Sequence, residues 1–183
     1  VIGSIEVDIK SVMIAGGGRI GRLAALDLEN KMSVSLIDEN RSRCEGITEY
    51  LDKTLIINGD ATDTNLLKEE GIEQIDAFVA VTNSTETNIL TCLHARKYGV
   101  KKTIALVENT DFINLSQAIG IDTIINKKLI TASYIARFIV KGDAVSAKWL
   151  SGTNAELIEL TVREKSKATK APIKDLNIPQ GAT

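Results

Sequence analysis

Between residues 11 and 126 the chain alternates between two hydrophobic periods. Short, nearly continuous apolar runs occur at 12–15 (VMIA), 33–38 (SVSLID), 54–58 (TLIIN), 76–81 (DAFVAV), 103–107 (TIALV) and 123–125 (TII). Between them lie segments with apolar residues three and four positions apart: 20–29, 41–50, 63–70, 83–98 and 112–119. In 20–29, Ile20, Leu23, Ala24 and Leu28 share one helical face. Asn83 is the expected cap of the fourth helix, with Glu86 as its capping-box partner, and Gly99 ends that helix. Strands alternating with helices at this spacing predict an α/β fold, a doubly wound parallel sheet. Near-continuous apolar strands agree, because helices then cover both faces. Ligands of such sheets bind beyond the carboxyl ends of the strands, where the strand order reverses. Those ends here are Gly-rich or polar: Ala15/Gly16, Asp38, Asn58/Gly59, Val81/Thr82 and Val107/Glu108.

The remainder has a different texture. Residues 126–141 read as a longer helix in which Ile130, Tyr134 and Phe138 form an apolar side widened by Ile135 and Ile139. Two uses of that side stay open, packing on its own domain or forming a dimer. Residues 143–183 contain a turn signal at Gly152-Thr-Asn, an alternating segment at 156–164, a basic solvated stretch at 165–170 and a possible helical turn at 172–176. Forty-one residues are too few for an independent core, so they read as a linker and an incomplete small domain. The expected layout is a lead-in at 1–10, the sheet domain at 11–126, the long helix at 127–142 and the partial domain at 143–183.

The chemistry concentrates in the first turn. Gly16, Gly18 and Gly21 have G-x-G-x-x-G spacing between a strand and a helix, and Asp38 ends the next strand 22 positions after Gly16. This is the dinucleotide fingerprint: a tight turn, close approach of a pyrophosphate, close helix packing, and an acid for a ribose hydroxyl. A carboxylate at Asp38 favours NAD(H) or an adenosine nucleotide over NADP(H). Arg41 and Arg43 follow closely; they read as a solvated helix face, the alternative being cations that weaken that discrimination. Arg19, within the loop, is a candidate phosphate partner or else a solvent-facing residue. Asp60 and Ala61 are placed for an adenine edge, and Thr82, Asn83 and Ser84 for the other ribose or the phosphates. Glu108 either lines the same cleft or is a loop carboxylate. Ile20 and Glu39, beside the loop and the strand-end acid, complete the candidate set.

Composition excludes several classes. The 183 residues carry a net charge of −2, which gives no electrostatic case for nucleic acid or an anionic membrane. Cys44 and Cys92 are far apart and read as buried free thiols. His94, the only histidine, lies mid-helix and reads as structural. No P-loop or zinc spacing accompanies the glycines. A nucleotide cleft without a substrate machine suggests a sensor rather than an enzyme. The alternative is an NAD-dependent oxidoreductase fragment lacking its substrate domain. Starting at Val1 and ending at Thr183, the chain is expected to be a piece of a longer protein.

Four segments together resemble an RCK or KTN domain: VMIAGGGRIG, the acid of LID at Asp38, GDAT at 59–62, and AVTNSTETNIL at 80–90. The resemblance covers residues 10–142, and 156–179 is similar to the start of that family's small α+β C-terminal domain. It implies a Rossmann-like domain, a crossover helix at 127–141 used in dimer packing, and one half of a tandem protein truncated in its C-terminal part. It further implies a cytoplasmic dimer or ring on the inner face of the membrane, bound to a potassium-transporter subunit and gating it through NAD(H) or ATP/ADP. Gly16, Gly18, Arg19, Gly21, Asp38, Asp60, Ala61 and the Thr82–Ser84 loop match the family's positions. Glu108-Asn-Thr departs from the Arg or Asn of many relatives, which bears on contacts to the distal end of a nucleotide.

Overall fold

The structure is a computed structural model. It describes residues 8–135, the backbones at 136–139, 144–149 and 156–160, and residues 161, 162, 164, 166 and 169–172, so Phe138 and Ile139 of the expected apolar side lie outside the described side chains. Two compact units divide after Lys127.

In the first unit six strands form one sheet in the order β3-β2-β1-β4-β5-β6. They are β1 (Ser11–Ala15), β2 (Ser33–Asp38), β3 (Leu55–Asn58), β4 (Ala77–Ala80), β5 (Lys102–Leu106) and β6 (Thr123–Ile125), and every pair is parallel. Helices α1 (Arg19–Leu28), α2 (Arg41–Ile47), α3 (Thr64–Glu69), α4 (Thr85–Lys97) and α5 (Asp111–Ala118) connect them, with a 3-10 turn at Ile72–Gln74. Alternation along β1 explains the two cores. Val12 and Ile14 pack with Ala25 and Ile47 of α1 and α2, whereas Met13 and Ala15 pack with Leu67 and Cys92 of α3 and α4. Both strand faces are thus buried, as helices on both sides require.

Register aligns the carboxyl ends. Ala15 lies opposite Ile37 and Ala80, and Asp38 opposite Asn58. The order reverses between β1 and β4, so the crevice of such a fold falls at the end of β1.

The amino ends of the central strands are pinned by Asp76. Its carboxylate accepts from the Lys10 and Ser11 amides at 2.9 and 3.2 Å and from Lys101 Nζ at 2.6 Å. The hydrogen bond from Lys101, helped by these amides, holds its carboxyl down at about 2. A depressed folded-state value stabilises above the unfolded value of about 4 and is lost as pH falls through the folded one. Urea midpoints of the chain should therefore fall between about pH 4 and pH 2. Asp76→Asn should lower the midpoint at pH 7 and flatten that slope; an unchanged slope would remove the assignment. Glu29 makes a second such clamp, accepting from the Lys53 and Thr54 amides at 3.0 and 3.1 Å.

Several boundaries differ from the sequence reading. The second helix stops at Ile47 rather than residue 50, because Thr48 caps it. Ser84, not Asn83, caps α4: its side chain accepts from the Thr87 amide at 3.0 Å, and Glu86 reaches its hydroxyl. Cys44 and Cys92 are buried free thiols, and burial pushes Cys92 up to about 12.

In the second unit β7 (Ala144–Trp149) pairs antiparallel with β8 (Glu156–Leu160). The sequence reading placed no strand at β7 and ran β8 to residue 164. Helix α6 (Lys127–Ile139) begins at the junction of the units. The expected turn at 152–154 and residues 173–176 of the expected helical turn lie outside the described residues.

Candidate functional site

The turn from β1 into α1 is a tight backbone contact. Gly16 has φ +108°, and a Cβ there would lie 2.9 Å from the Val81 carbonyl. A Cβ on Gly21 would meet the Gly16 carbonyl oxygen at 1.9 Å. Both positions therefore require glycine. Gly18 differs, since a Cβ there would meet nothing within 4 Å. It precedes α1 with its flank open to the cleft.

That cleft has a volume of about 490 Å³. Gly16, Gly18, Asp38, Glu39, Asp60, Ala61, Thr82, Asn83 and Ser84 line it together, joined by Gly59, Thr62, Thr87 and Arg43. Four other candidates sit elsewhere. Arg19 borders an adjoining hollow. Ile20 packs its side chain into the core beside Ala25, and Gly21 is buried against the turn. Glu108 is outside the lining: its side chain pairs with Lys127, and its amide donates to the Thr85 hydroxyl at 3.2 Å. His94 lies on α4, also outside the lining.

Asp38 is buried, and its carboxylate is already engaged. Oδ2 accepts from the Gly17 amide at 2.7 Å, and Oδ1 from the Asn40 amide at 2.9 Å. Arg43 Nη1 donates to both oxygens at 2.9 and 2.8 Å. The acid thus fixes the glycine loop to the β2 end. The solvated reading of Arg43 gives way here, because Asn40 caps α2 and brings position 43 back over the strand end. Arg41 does lie exposed, paired with Glu45. The Asn58 amide group donates to the carbonyls of Asp38 and Glu39 at 3.0 and 3.1 Å, fixing the same corner from β3.

The far wall rests on Asn88, 1% exposed on α4. Its Oδ1 accepts from the Thr82 amide and hydroxyl at 2.9 and 2.7 Å. Its Nδ2 donates to the carbonyls of Thr82 and Leu106 at 3.2 and 2.9 Å. All four hydrogen-bonding sites of the amide are used. Neither Asn88 nor Arg43 stood among the candidate site residues. The signal for Asn88 was weak, a polar residue on the inner face of an otherwise mixed helix.

No cluster of potential metal ligands occurs among the described residues. No described helix is long and apolar enough to cross a membrane.

A glycine turn at a helix start, a strand-end acid and a cleft at the reversal of strand order define a Rossmann-like domain of the nucleotide-binding class. The TrkA-N domain family model matches residues 12–127, so the chain belongs to the TrkA-N family. It is 35% identical over 182 residues to the Trk system potassium uptake protein TrkA of Halomonas elongata, covering 98% of this chain and 40% of that protein. It is 36% identical to the TrkA of Vibrio alginolyticus, with the same coverage. The chain thus spans about 40% of the length of these relatives. Among solved structures, the GsuK channel bound to NAD matches with TM-score 0.61 at 17% identity, over 79% of this chain and 26% of that one. GsuK bound to ADP matches with TM-score 0.61 at 24% identity, over 72% and 34%. At these identities the structures show the same fold.

Proposed function

We propose that this domain is the nucleotide-sensing part of a regulatory subunit of a potassium uptake system. The observation that carries the reading is the cleft itself, in which the glycine turn, Asp38, the 59–62 corner and the Thr82–Ser84 loop converge. The relatives are named for potassium uptake, and the same fold in GsuK has been seen with NAD and with ADP. The ligand is an adenosine nucleotide, NAD(H) or ATP/ADP. Its phosphates lie at Gly18 and the start of α1, where free amides and the helix dipole favour anions. Its ribose lies at Asp38 and its adenine at Asp60 and Ala61. The domain carries out no reaction; it works by differential affinity, and a hundredfold preference for one conformation supplies roughly 2.7 kcal/mol of bias.

The output leaves through α6. Ile130, Tyr134 and Ile135 are each more than half exposed, an apolar surface suited to a second copy of the chain. A cytoplasmic dimer or larger ring would then act on the inner face of a membrane potassium transporter.

Thermal-shift measurement with NAD+, NADH, ATP and ADP tests the reading. A ligand at a hundred times its Kd stabilises by about 2.7 kcal/mol, so a clear rise in Tm is expected for at least one. Asp38→Ala should reduce the rise, since the loop and the ribose lose their shared anchor. No shift with any of the four at millimolar concentration would remove the proposal.

A further inference from the structure

The carboxylate of Asp38 has no hydrogen-bonding capacity to spare. A carboxylate accepts at about four positions, two on each oxygen. The Gly17 amide takes one on Oδ2, and the Asn40 amide takes one on Oδ1. Arg43 Nη1 spans the other two, 2.9 Å from Oδ1 and 2.8 Å from Oδ2. The first two donors are backbone groups that hold the glycine loop and the start of α2. The third belongs to a side chain 42% exposed, set on an acid side chain only 4% exposed. The two hydroxyls of an adenosine ribose need the positions that Arg43 occupies, so this ion pair and a ribose seated on Asp38 exclude each other.

We propose that Arg43 is a latch on the ribose position: a nucleotide binds by taking its place on Asp38, and Arg43 thereby sets both the affinity and the weight given to the ribose hydroxyls. Release needs only a rotation of the side chain, since α2 itself is anchored by its buried Cys44 and Ile47. Arg43 lies between two spaces, lining both the main cleft and an adjoining hollow of about 430 Å³. Gly46 lines that hollow, and a Cβ there would meet nothing within 4 Å, so the helix face beside Arg43 is open. The charges around the released guanidinium balance. Glu39 lines the cleft and Glu49 the hollow, against Arg19 and Arg22. One engaged nitrogen makes a weaker pair than a two-nitrogen fork, so the latch yields to a ligand. A site competent only when the arginine is released binds with an affinity reduced by the released fraction. The latch rests on the adenosine-binding reading above and regulates that same site.

ADP and 2′,3′-dideoxy-ADP separate the latch from general effects of charge, because they carry the same phosphates and differ in the two hydroxyls. The measurement is calorimetric titration of the 183-residue chain and its variants. Arg43→Met keeps the length of the side chain and loses its charge and donors. It should bind ADP about tenfold more tightly than the parent, with no gain for dideoxy-ADP. Arg43→Lys keeps a cation that can pair with Asp38 and should stay near the parental values. Circular dichroism would establish that both variants are folded. ADP binding by Arg43→Met that is no tighter than the parent's overturns the latch, and so does an equal gain with dideoxy-ADP. A crystal structure of the parent chain with ADP tests the exchange without a variant. Ribose hydroxyls on Asp38 with Nη1 withdrawn are expected, and Nη1 still on both oxygens overturns the latch. Each of these adverse results leaves the nucleotide reading standing. Failure of ADP to bind any of the three forms overturns that reading and the latch together.

Discussion

Replacing Gly21 by Ala is expected to lower the Tm by roughly 10 °C, whereas Gly18→Ala should leave the Tm unchanged and weaken nucleotide binding alone. The contrast comes from what each new methyl group meets. At Gly21 it would lie 1.9 Å from the Gly16 carbonyl oxygen, a backbone atom fixed by the turn. Relief would require moving α1 off β1. The cost is about 3 kcal/mol, at the upper end of overpacking effects. At Gly18 the methyl meets no protein atom and projects into the cleft, where it would stand in the path of a phosphate. Differential scanning fluorimetry with and without ADP or NADH checks both variants. A Gly18→Ala variant that binds nucleotide as well as the parent chain would move the phosphates away from this turn. A Gly21→Ala variant of parental stability would mean that the turn is looser than described.

The same turn shows how far the amino-acid pattern reaches. The period of the apolar residues gave each sheet strand to within about a residue, since the apolar runs are too short for helices and are bounded by Gly and polar turn residues. The fingerprint glycines were legible because their roles follow from missing Cβ atoms. Less legible were groups whose partners are distant in the chain. Asp76 bonds Lys10 and Ser11 across 65 or 66 positions, and nothing local to Asp76 announces this. Asn83 and Ser84 are both good capping residues, and only the backbone path decides that Ser84 takes the Thr87 amide. Asp38 lines the cleft, yet what its carboxylate can offer a ligand depends on Arg43. That dependence appears only once Asn40 caps α2 and turns the chain back. The engagement of the strand-end acid was therefore the part of the site least readable from spacing.

Asn88 tests the opposite wall, and the expected loss is comparable. Asn88→Ala strands the Thr82 amide and the Leu106 carbonyl without their partners, at a cost of about 3 kcal/mol. It should also abolish nucleotide binding in the fraction that remains folded, because the Thr82–Ser84 loop loses the amide that shapes it. Asn88→Asp separates these effects. Its carboxylate can still accept from the Thr82 amide and hydroxyl, but it faces the carbonyls of Thr82 and Leu106, to which the native amide donates. Burial and these carbonyls raise the folded-state pKa of the introduced acid above its unfolded value, so protonation favours folding. The variant should gain stability as pH falls from 7 to about 5, where the wild-type carboxylates with depressed values contribute no slope. Urea midpoints at the two pH values check the sign. A flat response would mean that the introduced carboxylate is solvated, and that the Thr82 wall is open to water rather than built on a buried amide.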